Sequence, residues 1–107
     1  MTNCIVIFVI AGSTSEGERL AKALVETRLA ACVNIVSPVK SVFRWQGKVC
    51  EEKEVLLVIK SARENLDQVV EQVKKLHTYE VPEIIALPIL GGSEDYLNWL
   101  RDESNPG

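Results

Sequence analysis

The sequence has a single histidine and three cysteines, Cys4, Cys32 and Cys50, with no CxxC pair among them. An odd thiol count without paired spacing excludes a disulfide framework and a zinc finger. Positive charge is also short: 12 Lys and Arg stand against 15 Asp and Glu, giving −3. Such a balance leaves no electrostatic footprint for nucleic acid or an anionic membrane. The apolar run Ile5 to Ala11 falls far below the roughly 20 residues of a membrane span. It also lacks the basic flank and cleavage pattern of a signal peptide. A reducing cytoplasm is the setting that fits these absences.

What remains is an ordinary globular composition, 47% hydrophobic and 25% charged over 107 residues. It is enough for one domain, 1–107, with a real core. The chain is organised around Ala31 to Ser61, two long strand-like arms folded back at Gln46-Gly47-Lys48. The first arm is dense in β-branched and aromatic residues through Trp45, and the second runs through Val55-Leu56-Leu57-Val58-Ile59 to Lys60. An arm of about 14 residues spans on the order of 45 Å, more than a compact domain of this length can cover. The hairpin is therefore expected to overhang, and Pro38, which cannot donate to a ladder, to mark a bulge or bend.

Asn3 to Gly12 reads as a strand buried on both faces. Ser13 with Glu16, and Ser15 with Glu18, fit capping-box spacing ahead of a helix whose Leu20, Ala23, Leu24, Thr27 and Ala31 repeat at helical period. Ser61 with Glu64 predicts a second capping box, opening a helix striped by Leu66, Val69, Val70, Val73 and Leu76. Lys74, Lys75 and His77 close that helix, and Thr78 to Glu83 is a connector stopped by Pro82. Ile84 to Leu90 is a short strand broken by Pro88, and Ser93 caps a last helix.

The order β, α, β, β, α, β and helix predicts an α+β, ferredoxin-like βαββαβ protomer with an extra C-terminal helix. Its sheet would leave one face without cover although the strands are apolar. A bare face and an overhanging edge both call for further copies of the chain.

The fold leaves function to the site. An RNA-recognition module would need aromatics on its central strands, where only Phe8 stands. An anion loop would need arginine after the first strand, where Glu16 stands instead. No nucleophile, base and orienter can be assembled, so no enzyme is expected. His77 reads first as a helix-end cation, and also as a candidate metal ligand or base, with Tyr79, Glu80 and Glu83 close by. Alternation puts Glu52, Glu54 and Lys60 on one strand face, either a solvated stripe or a cleft wall. Trp45 and Trp99 read as interface or core aromatics.

Five stretches together carry a resemblance. They are Ala30-Ala31-Cys32-Val33-Asn34-Ile35, Phe43-Arg44-Trp45-Gln46-Gly47-Lys48, Glu52-Lys53-Glu54 leading to Ile59-Lys60-Ser61, His77-Thr78-Tyr79-Glu80-Val81-Pro82-Glu83-Ile84, and Tyr96-Leu97-Asn98-Trp99. In this order, over nearly the whole chain, they resemble the CutA family of divalent-cation-tolerance proteins. The resemblance implies a homotrimer with hairpins pairing between subunits, and a cytoplasmic role in tolerance of copper and other divalent metals.

Copper is the cofactor it implies, on a site departing from the family pattern. His77 matches the family's histidine position, Leu76 stands where a second histidine can occur, Ile10 replaces the first-strand cysteine, and Thr78 replaces a proline. The metal ligands expected are then His77, Glu80 and Glu83. The architecture also resembles the PII signalling proteins, which implies an alternative: a sensor of an anionic metabolite in inter-subunit clefts built from Trp45, Glu54, Lys60 and Tyr79. A structural or anchoring trimer without a small ligand is the third reading.

Overall fold

The computed structural model describes residues 2–107. In chain order it contains β1 (Cys4–Ala11), α1 (Thr14–Glu26), β2 (Cys32–Trp45), β3 (Lys48–Ala62), a 3-10 turn (Arg63–Asn65), α2 (Leu66–Leu76), β4 (Ile84–Pro88) and α3 (Glu94–Glu103). The strands form one antiparallel sheet in the order β2-β3-β1-β4, the expected α+β ferredoxin-like arrangement. Ile5, Ile7, Val9 and Ala11 alternate onto the side covered by α1 and α2, where they meet Leu20, Leu24, Leu57, Ile59, Val69 and Val73. Each of these large side chains contributes roughly 1.5–3 kcal/mol by leaving water.

Helix α1 stops five residues before Ala31, earlier than its apolar period predicts. Arg28 takes a left-handed φ of 63°, and the Leu29 and Arg28 N–H groups donate to Leu24 and Val25 carbonyls at 3.0 Å each. This is a Schellman ending, and buried Leu29 closing on Leu24 supplies its apolar contact.

The predicted Ser61–Glu64 capping box does not form. Ser61 is still in the strand, because Cys4 pairs with Ala62 at the end of the β1–β3 ladder. Its buried hydroxyl donates to the Leu29 carbonyl. Helix α2 begins instead through the 3-10 turn, and Asn65 spends its amide on the Ser104 carbonyl at 2.8 Å rather than on a cap.

The central hairpin turns at Gln46 and Gly47, whose φ values of 50° and 80° give the doubly left-handed turn that suits two-residue hairpins. One extra β2 residue lies between the pairs Val36↔Leu56 and Val39↔Glu54, so the arm is one strand with a bulge at Pro38. Support from β1 ends at Ala11↔Val55. Beyond it the hairpin continues as a bare two-stranded ribbon, and the molecule extends 44 Å along its long axis.

Register places Val6, Phe8, Val36, Leu56, Val58, Ile85 and Leu87 on the face turned away from α1 and α2. Helix α3 packs against one end of this face near Cys4, whose thiol lies 3.9 Å from the Leu97 carbonyl, with Leu100 buried beneath it. The rest is uncovered, and Leu87 is 47% exposed. Among the described residues no helix is long and apolar enough to cross a membrane.

Candidate functional site

The site begins at the corner between β1 and α1. Ser13 caps the helix by accepting the Glu16 N–H at 3.2 Å. Glu16 does not reach back to Ser13. It lies one turn ahead of Leu20 and Leu24 on the inward stripe and is only 4% exposed. Its carboxylate accepts the Gly12 N–H at 2.9 Å and the Thr78 N–H at 2.8 Å, tying the corner to the connector after α2. Burial works to raise its pKa, but the donors from Gly12 and Thr78 outweigh it, and the group is held below the usual carboxylate range.

His77 sits at the end of α2 with its N–H on the Val73 carbonyl at 2.8 Å. Its side chain is fully buried. Nε2 lies 2.7 Å from the Ile10 carbonyl, just past the β1–β4 ladder, which stops at Val9↔Ile84. Nδ1 accepts the Tyr79 N–H at 3.0 Å, which assigns the ring proton to Nε2. Both nitrogens are therefore committed to the backbone, and neither offers a lone pair to a metal. The expected role of His77 as a ligand does not fit this geometry: it braces the connector.

That bracing aims Tyr79. Its ring lies against His77 with centroids 4.8 Å apart, and its hydroxyl donates to Glu54 Oε2. Gly12 makes room, because a Cβ there would stand 3.1 Å from the Tyr79 hydroxyl. The phenol is pushed well above its ordinary range, first by burial, then by the hydrogen bond and charge of Glu54, with smaller effects from Glu16 and Glu52.

Between this connector and the root of the hairpin opens a cleft of about 890 Å³. Phe43, Trp45, Glu52 and Glu54 line it from the hairpin, and Tyr79, Glu80 and Glu83 from the connector. Of the residues expected at a pocket, Trp45, Glu54 and Tyr79 come together here. Lys60 does not. It shares a strand face with Glu54 but lies six residues away, roughly 20 Å along the strand. There it bonds Asn34 Oδ1, with the Cys32 thiol 3.7 Å off.

With Lys60 gone, the lining that this chain supplies holds four carboxylates and no basic side chain. Glu80 and Glu83 do reach the cleft, but His77 lies apart from them. Among the described residues no three His, Cys, Asp or Glu side chains converge as a metal-holding group.

Sequence reasoning missed Glu16 and Gly12. Glu16 had a signal, since the period that marks Leu20 and Leu24 as buried also passes through residue 16. Gly12 had none, because its role depends on a tyrosine 67 positions later.

Residues 5–103 match the family model for the CutA1 divalent ion tolerance protein. A divalent-cation tolerance protein CutA of Thermus thermophilus is 48% identical over 99 residues, covering 92% of this chain and 96% of that protein. A chloroplastic CutA of Arabidopsis thaliana is 46% identical over 100 residues; these are 94% of this chain but 55% of the plant protein, so the chain spans about half of it. The crystal structure of CutA1 from Oryza sativa superposes with a TM-score of 0.93 at 46% identity, covering 95% of this chain and 94% of that one.

Proposed function

We propose, from the premise that this chain belongs to the CutA1 divalent ion tolerance family, that it acts in divalent-cation tolerance as a homotrimeric binding protein without turnover. Its ligands are positively charged, divalent metal ions among them, and they enter the cleft at the hairpin root. The observation that carries this reading is Glu54. It is a carboxylate 6% exposed, held by one tyrosine hydroxyl in a cleft of further carboxylates with no basic side chain. Buried charge of this kind calls for an opposite charge. A metal ion there would meet the Glu54 carboxylate, with Glu80 and Glu83 elsewhere on the lining and His77 withdrawn beneath. Oxygen donors favour hard cations over copper.

The trimer is supported by the uncovered apolar face and by the bare edges of the overhanging ribbon, both of which further copies would cover. Free Cys4, Cys32 and Cys50 suit a reducing compartment such as the cytoplasm.

Calorimetric titration of manganese, zinc and copper chlorides tests the site. Glu54→Gln should weaken binding, and a folded His77→Ala should retain it. Equal affinity of wild type and Glu54→Gln would remove the cleft from consideration. Light scattering on the eluting protein tests the assembly, for which a stable monomer is the contrary result.

A further inference from the structure

The neutral form of His77 is set by backbone groups that cannot exchange roles, since a carbonyl only accepts and an amide N–H only donates. The Ile10 carbonyl, 2.7 Å from Nε2, holds the ring proton there, and the Tyr79 N–H, 3.0 Å from Nδ1, occupies the remaining lone pair. The side chain has no exposed surface, so solvent reaches neither nitrogen. A second proton has only Nδ1 to go to. There it sets one N–H against another, and the Tyr79 amide loses its acceptor.

The imidazolium formed in this way has a different partner at hand. Glu16 Oε2 lies 3.8 Å from Nδ1 and already accepts the Thr78 N–H. Burial raises the Glu16 pKa, but the Gly12 and Thr78 donors more than offset it. The carboxylate therefore keeps its charge through the range, about pH 5 to 8, in which imidazoles ordinarily take up a proton. The cations nearby leave that partner free: half-exposed Arg19 reaches Glu16 only at 4.0 Å, and Lys74 and Lys75 are exposed on the last turn of α2. From β1 the ring meets the Ile10 carbonyl. Glu54 of β3 stands beyond the Tyr79 phenol, which burial and Glu54 keep neutral, and Glu80 and Glu83 follow on the connector at the cleft.

We propose that His77 is a proton-operated latch on the connector after α2: one proton from solvent, added at Nδ1, turns that nitrogen from the Tyr79 N–H to the Glu16 carboxylate, frees the Tyr79 backbone and loosens the bond of its hydroxyl to Glu54. The latch does not depend on what enters the cleft. Two substitutions separate the two ring nitrogens. His77→Asn supplies an oxygen that can accept the N–H two residues on, as in an Asx turn, and takes up no proton. The extended backbone at 77, with φ −78° and ψ 146°, suits that turn. His77→Gln reaches toward Ile10 and leaves the Tyr79 N–H without its acceptor at every pH.

Heteronuclear NMR on the full chain from about pH 8 to about pH 5 tests the latch. In wild type the Nδ1 resonance should move to the imidazolium position. The Tyr79 amide should shift with the same midpoint and lose about tenfold or more of its hydrogen-exchange protection. His77→Asn should keep that amide protected across the range, and His77→Gln should show it unprotected throughout. A ring that takes up its proton while the Tyr79 amide stays in place would overturn the proposal. So would a ring that stays neutral to the acid end of the range, or an amide that titrates equally in His77→Asn, since Glu16 or Glu54 would then be the cause. The wild-type titration decides by itself should either variant fail to fold.

Discussion

Replacing Glu16 by glutamine measures how firmly the connector is held to the body of the fold. The carboxylate accepts N–H groups from Gly12 and Thr78 at 2.9 and 2.8 Å, and it is nearly fully buried. An amide of the same shape keeps one of these acceptors and turns an NH₂ against the other N–H. One buried donor is then left without a partner, a cost of about 1–3 kcal/mol, and the remaining bond loses its charge assistance. A loss of about 2–3 kcal/mol follows, or roughly 10 °C or more in Tm for a domain of this size. Arg19 adds little, since its contact with Glu16 is 4.0 Å long and its side chain is 53% exposed.

The pH dependence separates this account from a packing defect. The folded-state pKa of Glu16 lies below its ordinary value of 4.5. The carboxylate therefore contributes stability that is present above pH 4.5 and is lost as pH falls through the folded-state value. Urea denaturation of wild type and Glu16→Gln, at one protein concentration because assembly couples to stability, should show the full gap at pH 7 and a narrowing gap on acidification below pH 4.5. A gap under about 0.5 kcal/mol at neutral pH, in the range of surface substitutions, would refute the reasoning. So would a gap that does not change with acid.

Gly12→Ala should push Tyr79 off Glu54, because the new Cβ would stand 3.1 Å from the hydroxyl. Ultraviolet titration should then move the phenol back toward its ordinary value of 10, and an unchanged midpoint would mean that the ring yields without losing its partner. At the end of α1, Arg28→Ala keeps the left-handed strain and loses the exposed pair with Glu103, whereas Arg28→Gly loses the pair and about 1 kcal/mol of strain with it. Denaturant midpoints should rank glycine above alanine, and the reverse order would contradict the Schellman reading. Leu87→Lys puts a charge on the uncovered face at a position 47% exposed. It should abolish assembly by light scattering while leaving the circular dichroism intact; a surviving oligomer would place the interface elsewhere.

The fold was readable wherever the signal was local. Alternation, period and the Gln46-Gly47 turn dictate the hairpin, and Pro38 marks its bulge, because strands and turns are specified by neighbours in sequence. The Ser61–Glu64 box misled because Ser61 is claimed by a strand pairing 56 positions away, Ile5↔Ser61, which outweighs a cap. Lys60 was assigned the right face and the wrong place along it. Periodicity reports which side a residue takes, but not how far its neighbours on that side extend. His77 looked like a ligand or a helix-end cation because sequence shows a side chain's chemistry and not its partners. The Ile10 carbonyl that holds it is contributed by the first strand.

The position of the cleft follows from a mismatch in strand length. β1 has 8 residues and β3 has 15, so the sheet drops from a supported layer to a two-stranded ribbon beyond Ala11↔Val55. Glu54 is the first β3 residue past that step. A strand face left by its neighbour presents side chains with no sheet beside them, and the connector after α2 is the segment that reaches the gap. Tyr79 closes its floor on Glu54, braced from below by His77 and Glu16. The brace and the lining are thus different residues with different tests. Changes at Glu16 or His77 act on stability and through it on the cleft, whereas Glu52 and Trp45 stand on the ribbon outside the chain's core and line the cleft directly.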